Sequence, residues 1–299
     1  MIIETLQVEK KFGDFSAIRN ISLRVEAGEV VGFVGANGAG KTTTISTLLG
    51  FISPTSGEIR LFGKPLQAAS AHIFHKRMGY AAGDMELPPR LTGAQYLQFV
   101  RSRSGKNHDK LFDDLCQRFK PELHKKIKDL SRGNKQKIAL IGAFVTDPEL
   151  IVLDEPTSGL DPVMQAVFLQ LVREAQAKGK TIFMSSHYLN EVADVCSRVI
   201  LMRSGEIIRD ISASEMLQAS GKQVRVVVSQ KHLAPPKGAT EIKSEIAQGK
   251  HVVSFAFTGG VGELQRWLGT IKQLEDIEIT EYNLEAAFKD MYVGEETKQ

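Results

Sequence analysis

Apolar and polar positions alternate over residues 2–8, a period of two that predicts a strand with one buried face. A second short strand falls at 21–25 and leads to the turn Ala27-Gly28-Glu29. Residues 30–34 are a short apolar run bounded by glycines, the pattern of a parallel strand buried on both faces. A Gly-rich turn follows, then a helix over 42–49, with Gly50 where a helix C-cap sits. Residues 56–62 read as another strand, and from about 87 to 144 the pattern turns helical. Strand-like runs return at 150–153, 181–184 and 198–202, with a helical stretch over 164–177 between the first two. Strands alternating with helices predict an α/β architecture with a mainly parallel sheet. Around Ser220-Gly221 the character changes. Residues 223–229 and 251–257 alternate like half-buried strands, and helices are expected over 261–271 and 284–292. This is the pattern of a small α+β appendage, ending in a frayed tail over 295–299.

Composition narrows the classes. The chain has 299 residues, 42% hydrophobic and 24% charged, so at roughly 150 residues per domain it holds two domains or one large and one small. Lys+Arg is 38 against Asp+Glu 35, a net charge of +3, which gives no reason to expect a nucleic-acid binder. Mean hydropathy is −0.13. The longest apolar run, 138–145, falls well short of the roughly 18 residues a membrane helix needs, and reads as core. The N-terminal MIIETLQVEK lacks the charge and apolar pattern of a signal peptide. Cys116 and Cys196 are far apart and in no metal-like spacing, as expected of reduced thiols in a cytoplasmic protein.

Chemistry enters at Gly35-Ala36-Asn37-Gly38-Ala39-Gly40-Lys41-Thr42, which matches G-x-x-x-x-G-K-[ST] between a strand and a helix. Its glycines let successive backbone N–H groups converge on an anion, and the helix N-terminus adds positive potential. Lys41 would reach the β- and γ-phosphates, the Thr42 hydroxyl would bind Mg²⁺, and Thr43 can add a phosphate contact. A carboxylate is needed at another strand end. Asp154 supplies it after the apolar run 150–153 and would hold Mg²⁺ through water. Glu155 is placed to orient and activate the attacking water. These residues point to nucleoside triphosphate hydrolysis.

Leu130-Ser131-Arg132-Gly133-Asn134-Lys135-Gln136 resembles the signature of ABC ATPases. Ser158-Gly159-Leu160-Asp161 resembles the family's D-loop, His187 after Met184-Ser185-Ser186 its switch histidine, and Phe12-Gly13 its adenine-stacking aromatic loop. Residues 50–58 also look like the family's, and the resemblance covers about 2–215. It implies a P-loop NTPase of the ABC cassette type, a mixed sheet with helices plus a helical subdomain at about 87–145, with the accessory α+β domain over 216–299. It also implies ATP and Mg²⁺ as cofactors and a composite site. One subunit offers the phosphate loop, with Phe12, Gly35, Asn37, Gly38, Ala39, Gly40, Lys41, Thr42 and Thr43. The other offers Ser131 and Gly133, with Asp161 nearby. Ser131 is a good N-cap, leaving free N–H groups for a γ-phosphate held opposite. Lys41, Glu155 and His187 form the implied catalytic set, although a histidine there can also be a satisfied edge residue.

Four positions depart from the family, one of them Asn134, which stands where the signature has glutamine. The expected Q-loop glutamine lines up with Gly83, where Asp84 or Glu86 is a substitute; alternatively the loop docks a membrane partner and contributes less to the metal. Arg132 stands for a signature glycine and either binds an opposite phosphate or acidic neighbour or is solvated. Phe12 replaces the commoner tyrosine and keeps its π-face. Residues 118–137 carry eight Lys/Arg and two acids, either a solvated face or a contact with phosphate, anionic lipid or an acidic partner. With no membrane span, the resemblance implies an ATPase subunit working as a homodimer or close heterodimer. It would sit on the inner face of the cell membrane beside a separate multi-span permease, with export implied by the C-terminal stretch near 283–288. The alternative is an ABC ATPase acting on DNA or ribosomes, but the interval between phosphate loop and signature has no heptads and the chain has one cassette.

Overall fold

The structure, a computed structural model, describes residues 1–83, 86–187, 189, 192, 194–215, 221–229, 233–247, 249–257 and 259–281. Asp84, the expected helix at 284–292 and the expected tail lie outside them, as does Ser220. The chain forms two compact units, Met1–Ile211 and Ser212–Gln299.

The first unit begins with β1 (Ile3–Phe12) and β2 (Phe15–Val25), an antiparallel hairpin extended by β4 (Ser56–Leu61) and β5 (Lys64–Pro65). Between them come β3 (Val30–Val34) and α1 (Lys41–Leu48). After α2 (Ala71–His75) and β6 (Met78–Ala82), the helices α3 (Gly93–Ser102), α4 (Asp109–Phe119) and α5 (Arg132–Phe144) follow. β7 (Leu150–Asp154), α6 (Pro162–Ala177), β8 (Thr181–Ser186), β9 (Arg198–Arg203) and β10 (Glu206–Ser212) complete the series. A six-stranded sheet has the order β10-β9-β3-β8-β7-β6, its strands β9, β3, β8, β7 and β6 pairing in parallel, and β2-β1-β4-β5 is a separate antiparallel sheet. The mainly parallel pattern therefore describes only one of the two layers.

β3, β7 and β8 are buried along their whole length, which is why they read as apolar runs without alternation. Ile3, Ile21 and Leu61 from the antiparallel sheet share a core with Phe33, Ile45, Val152 and Phe183. The run 138–145 forms the buried end of α5. A capping box starts α3: Thr92 accepts from the Gln95 backbone N–H, and the Gln95 side chain accepts from the Thr92 N–H.

The second unit has β11 (Lys222–Val228), β12 (Ala239–Ala247), β13 (Lys250–Phe257), α7 (Val261–Leu268) and β14 (Leu274–Glu281). Its antiparallel sheet has the order β12-β13-β11-β14. Val224, Val226, Val253, Phe255 and Phe257 pack under Leu264 of α7. β12 and β14 escape the sequence pattern because their apolar positions are interleaved with charges and stay exposed.

Candidate active site

The site is built at the ends of parallel strands. β3 delivers the phosphate loop, in which Ala36, Asn37 and Gly38 are exposed while Gly35 and Ala39 are buried. Gly40 is the N-cap of α1 at φ 103, and a Cβ there would lie 2.6 Å from the Ala17 carbonyl oxygen. A side chain at this turn is therefore excluded by both backbone conformation and space. Lys41 opens the helix and is only 5% exposed. Its ammonium donates to the carbonyl oxygens of Gly35 at 2.7 Å and Ala36 at 3.3 Å, and lies 3.4 Å from Glu155 Oε1. Thr42 is exposed beside it and Thr43 is half-buried.

β7 delivers the carboxylates. Asp154 is buried, and Ser185 of β8, directly opposite in the parallel register, donates to Asp154 Oδ1 at 2.5 Å. The same hydroxyl accepts from the Glu155 N–H at 2.9 Å. Glu155 turns out of the strand at φ 48, a left-handed conformation that costs a non-glycine roughly 1–2 kcal/mol. This turn separates neighbouring carboxylates: Asp154 stays in the core, while Glu155 meets Lys41 on one side and His187 Nδ1, 3.6 Å from Oε2, on the other. Burial, helped by the Asp154 charge, pushes the Tyr80 hydroxyl up to about 12. The Gly83 N–H donates to the Asp154 carbonyl at 2.7 Å.

Ser131, Gly133 and Asp161 assemble at a second place. Ser131 is the N-cap of α5 and accepts from the Asn134 N–H at 3.3 Å; Asp161 caps α6 by accepting from the Met164 N–H at 2.9 Å. A Cβ on Gly133 would lie 2.8 Å from the Gly159 carbonyl, so only glycine lets these segments approach so closely. Arg132 donates to the Ser158 hydroxyl at 2.8 Å, a contact within the chain that neither sequence reading of this residue named. Buried Gln136 donates to the Pro156 carbonyl at 2.8 Å. These contacts join the start of α5 to the segment following Glu155.

Sequence reasoning missed Ser185 and Gln136 as site-building residues. Ser185 was reachable from the register of two adjacent parallel strands, Asp154 facing Ser185. Gln136 gave no local signal, because its partner is a proline carbonyl twenty residues away. Phe12 ends β1, 51% exposed, with Lys10 Nζ 5.1 Å from its ring centre. In the basic stretch Arg118 pairs with Asp114 and Glu174, and Lys125 with Glu122. Lys128, Arg132 and Lys135 line a cleft of about 630 Å³ that also borders Gly83 and Glu86.

Comparison with known proteins gives this arrangement its family. The ABC transporter family matches residues 18–158. The ABC transporter ATP-binding protein NatA of Bacillus subtilis (strain 168) is 34% identical over 64% of this chain and 80% of that protein. The Nod factor export ATP-binding protein I of Burkholderia lata is 35% identical over 73% of each. The bacitracin transport ATP-binding protein BcrA of Enterococcus faecalis is 29% identical over 98% of this chain and 97% of that protein. Among solved structures, an ATP-binding subunit of an ABC transporter superposes with a TM-score of 0.68 at 26% identity, covering 72% of this chain and 92% of that one. This chain belongs to the ATP-binding proteins of ABC transporters, and it is an ABC ATPase.

Proposed function

We propose that the chain powers export through a separate membrane permease, hydrolysing ATP at composite sites between two cassettes. The observation that carries the hydrolytic reading is the junction of Lys41, Glu155 and His187 above the Asp154–Ser185 pair. Lys41 exchanges its loop carbonyls and Glu155 for the β- and γ-phosphates. Glu155, released, orients water and takes its proton as the water oxygen attacks the γ-phosphorus and the bond to the β–γ bridging oxygen breaks. His187 hydrogen-bonds beside the γ-phosphate. Phe12 stacks on adenine, and Gly35, Asn37, Gly38, Ala39, Gly40 and Thr43 cradle phosphate. Ser131 and Gly133 of the opposite cassette, with Asp161 near them, complete the pocket. A buried carboxylate and an exposed helix-start hydroxyl are the hard oxygen donors that suit Mg²⁺, a cation that keeps most of its water. Asp154, through water, and Thr42 would hold it, and when bound it supplies neutralisation of phosphate charge.

Export is supported by the names of two relatives, one for Nod factor export and one for bacitracin transport. No described helix is long and apolar enough to cross a membrane. In the proposed arrangement the membrane path belongs to another chain and this one sits on the cytoplasmic side of the membrane. The accessory unit is assigned to residues after about 215. Glu155→Gln tests the reading. It should retain ATP, accumulate as a nucleotide-dependent dimer and lose about 10²-fold or more in turnover. Turnover near the wild-type rate would remove Glu155 as the base.

A further inference from the structure

We infer that β12 of the second unit is a self-complementary edge through which two copies of this chain join, independently of nucleotide. Among the described residues β12 pairs only with β13, leaving its other side as a sheet edge, and nearly all of its nine residues are exposed. Long exposed edges carrying apolar side chains invite another strand. Ile242 and Ile246 are 52% and 76% exposed on this one. Ser244 pairs with Val253 and Ile246 with His251, which places Ser244 and Ile246 on the face that α7 covers further along the sheet. The ladder to β13 shifts register between Thr240 and Lys243, with Glu241 at φ 50, so β12 alternates regularly only from Ile242 onward; there Ile242 lies on that face and Lys243 and Glu245 on the other.

Two copies joined antiparallel about a two-fold axis perpendicular to the sheet must pair residues whose numbers sum to an even value, because the pleat allows nothing else. Centring the axis on Ser244 pairs Lys243 with Glu245 twice and Ile242 with Ile246 twice. Centring it on Lys243 sets lysine against lysine. Centring it on Glu245 sets glutamate against glutamate. Centring it on Ile242 would pair Glu241 with Lys243, but Glu241 sits in the bulge at φ 50 and is not part of the regular strand. The register centred on Ser244 therefore satisfies both faces with regular strand residues alone, four isoleucines gathered on one side and two opposite-charge pairs on the other. The opposite edge, β14, has no such register. Centred on Ile277 it opposes Asp276 to Glu278, and centred on Asp276 or Glu278 it opposes an acid to itself. A β12-to-β14 contact would not close and would build open chains rather than a dimer.

The prediction goes beyond the proposed ATPase cycle and is tested on the full-length chain with nucleotide and metal removed. Opposed residues of an antiparallel pair lie about 4.5–5.5 Å apart at Cα, within disulfide reach. Ser244→Cys should therefore form a covalent dimer under mild oxidation, beyond any background from Cys116 and Cys196 in the wild type. Lys243→Cys mixed with Glu245→Cys should cross-link to each other more readily than either alone. In sedimentation, Lys243→Glu should weaken nucleotide-free association by roughly tenfold, and Lys243→Glu combined with Glu245→Lys should restore it. A monomeric nucleotide-free wild type with no Ser244→Cys cross-link overturns the proposal, as it would if a different partner covered β12. Loss of association in the charge-swapped double variant also overturns this register. The Glu155→Gln outcome is independent, since it is read in the presence of ATP.

Discussion

At Gly83 the lack of a side chain sets how closely two strand ends approach. A Cβ would lie 2.7 Å from the Glu155 carbonyl oxygen and 2.9 Å from Ser158 Cβ. Installing the family's usual side chain should therefore displace the backbone of Glu155, the proposed base. Gly83→Gln is expected to lower stability by about 1–3 kcal/mol and to reduce ATPase turnover. A thermal melt and a rate measurement check this; a variant as stable as wild type and faster would show that the loop has room. Cys196 gives a second test at this scale. Burial raises its thiol well above the usual value. The folded thiol stays neutral while the unfolded one ionises above about pH 8.5, so its contribution holds below that pH and is lost as pH rises. Alkylation of native protein at pH 8, read by mass spectrometry, should leave Cys196 unmodified until the chain is unfolded. Lys41, Asp154 and Glu155 stand out in the sequence as candidates because a phosphate loop and a strand-end acid pair are local patterns. The pairing of Lys41 with Glu155 does not, because residues over a hundred positions apart meet only once β3 and β7 share a sheet.

Among elements, the start of α5 is held by more than its cap. Gln136→Ala would leave the buried Pro156 carbonyl unpaired, at a cost of about 1–3 kcal/mol. Turnover should fall in parallel, whereas nucleotide affinity of the isolated chain should change little. Equilibrium unfolding and nucleotide titration separate these effects, and a loss of affinity with unchanged stability would contradict the assignment. The strands at 30–34, 150–154 and 181–186 were legible because burial on both faces writes a continuous apolar run. β6 was harder, since Met78-Gly79-Tyr80-Ala81-Ala82 contains a glycine packed against the Ala143 carbonyl and only weak alternation. β14 alternates acids with isoleucines that remain partly exposed, so hydrophobicity alone does not mark it.

For the whole molecule, separate cores predict separate melting. The first unit is built around Phe33, Val152 and Phe183, the second around Val226, Phe255 and Leu264. Calorimetry should resolve two transitions, and ATP at about 100 times its Kd should stabilise the first by about 2.7 kcal/mol while leaving the second in place. A single transition that shifts as a whole would show the two units unfolding together. The change of pattern near residue 220 made the appendage visible in the sequence. Its strand order was not visible there, because β12 is mostly polar and finds its place only by pairing with β13. Arg132, Gly133 and Gln136 all contact the segment that follows Glu155, so a displacement there would be passed to the helix start that Ser131 caps. In the proposed head-to-tail pair Ser131 faces the neighbour's nucleotide. In that proposed pair, a shift at one cassette's Glu155 would reach the nucleotide held by the other through these three residues, which would make the two sites unequal whenever only one holds ATP.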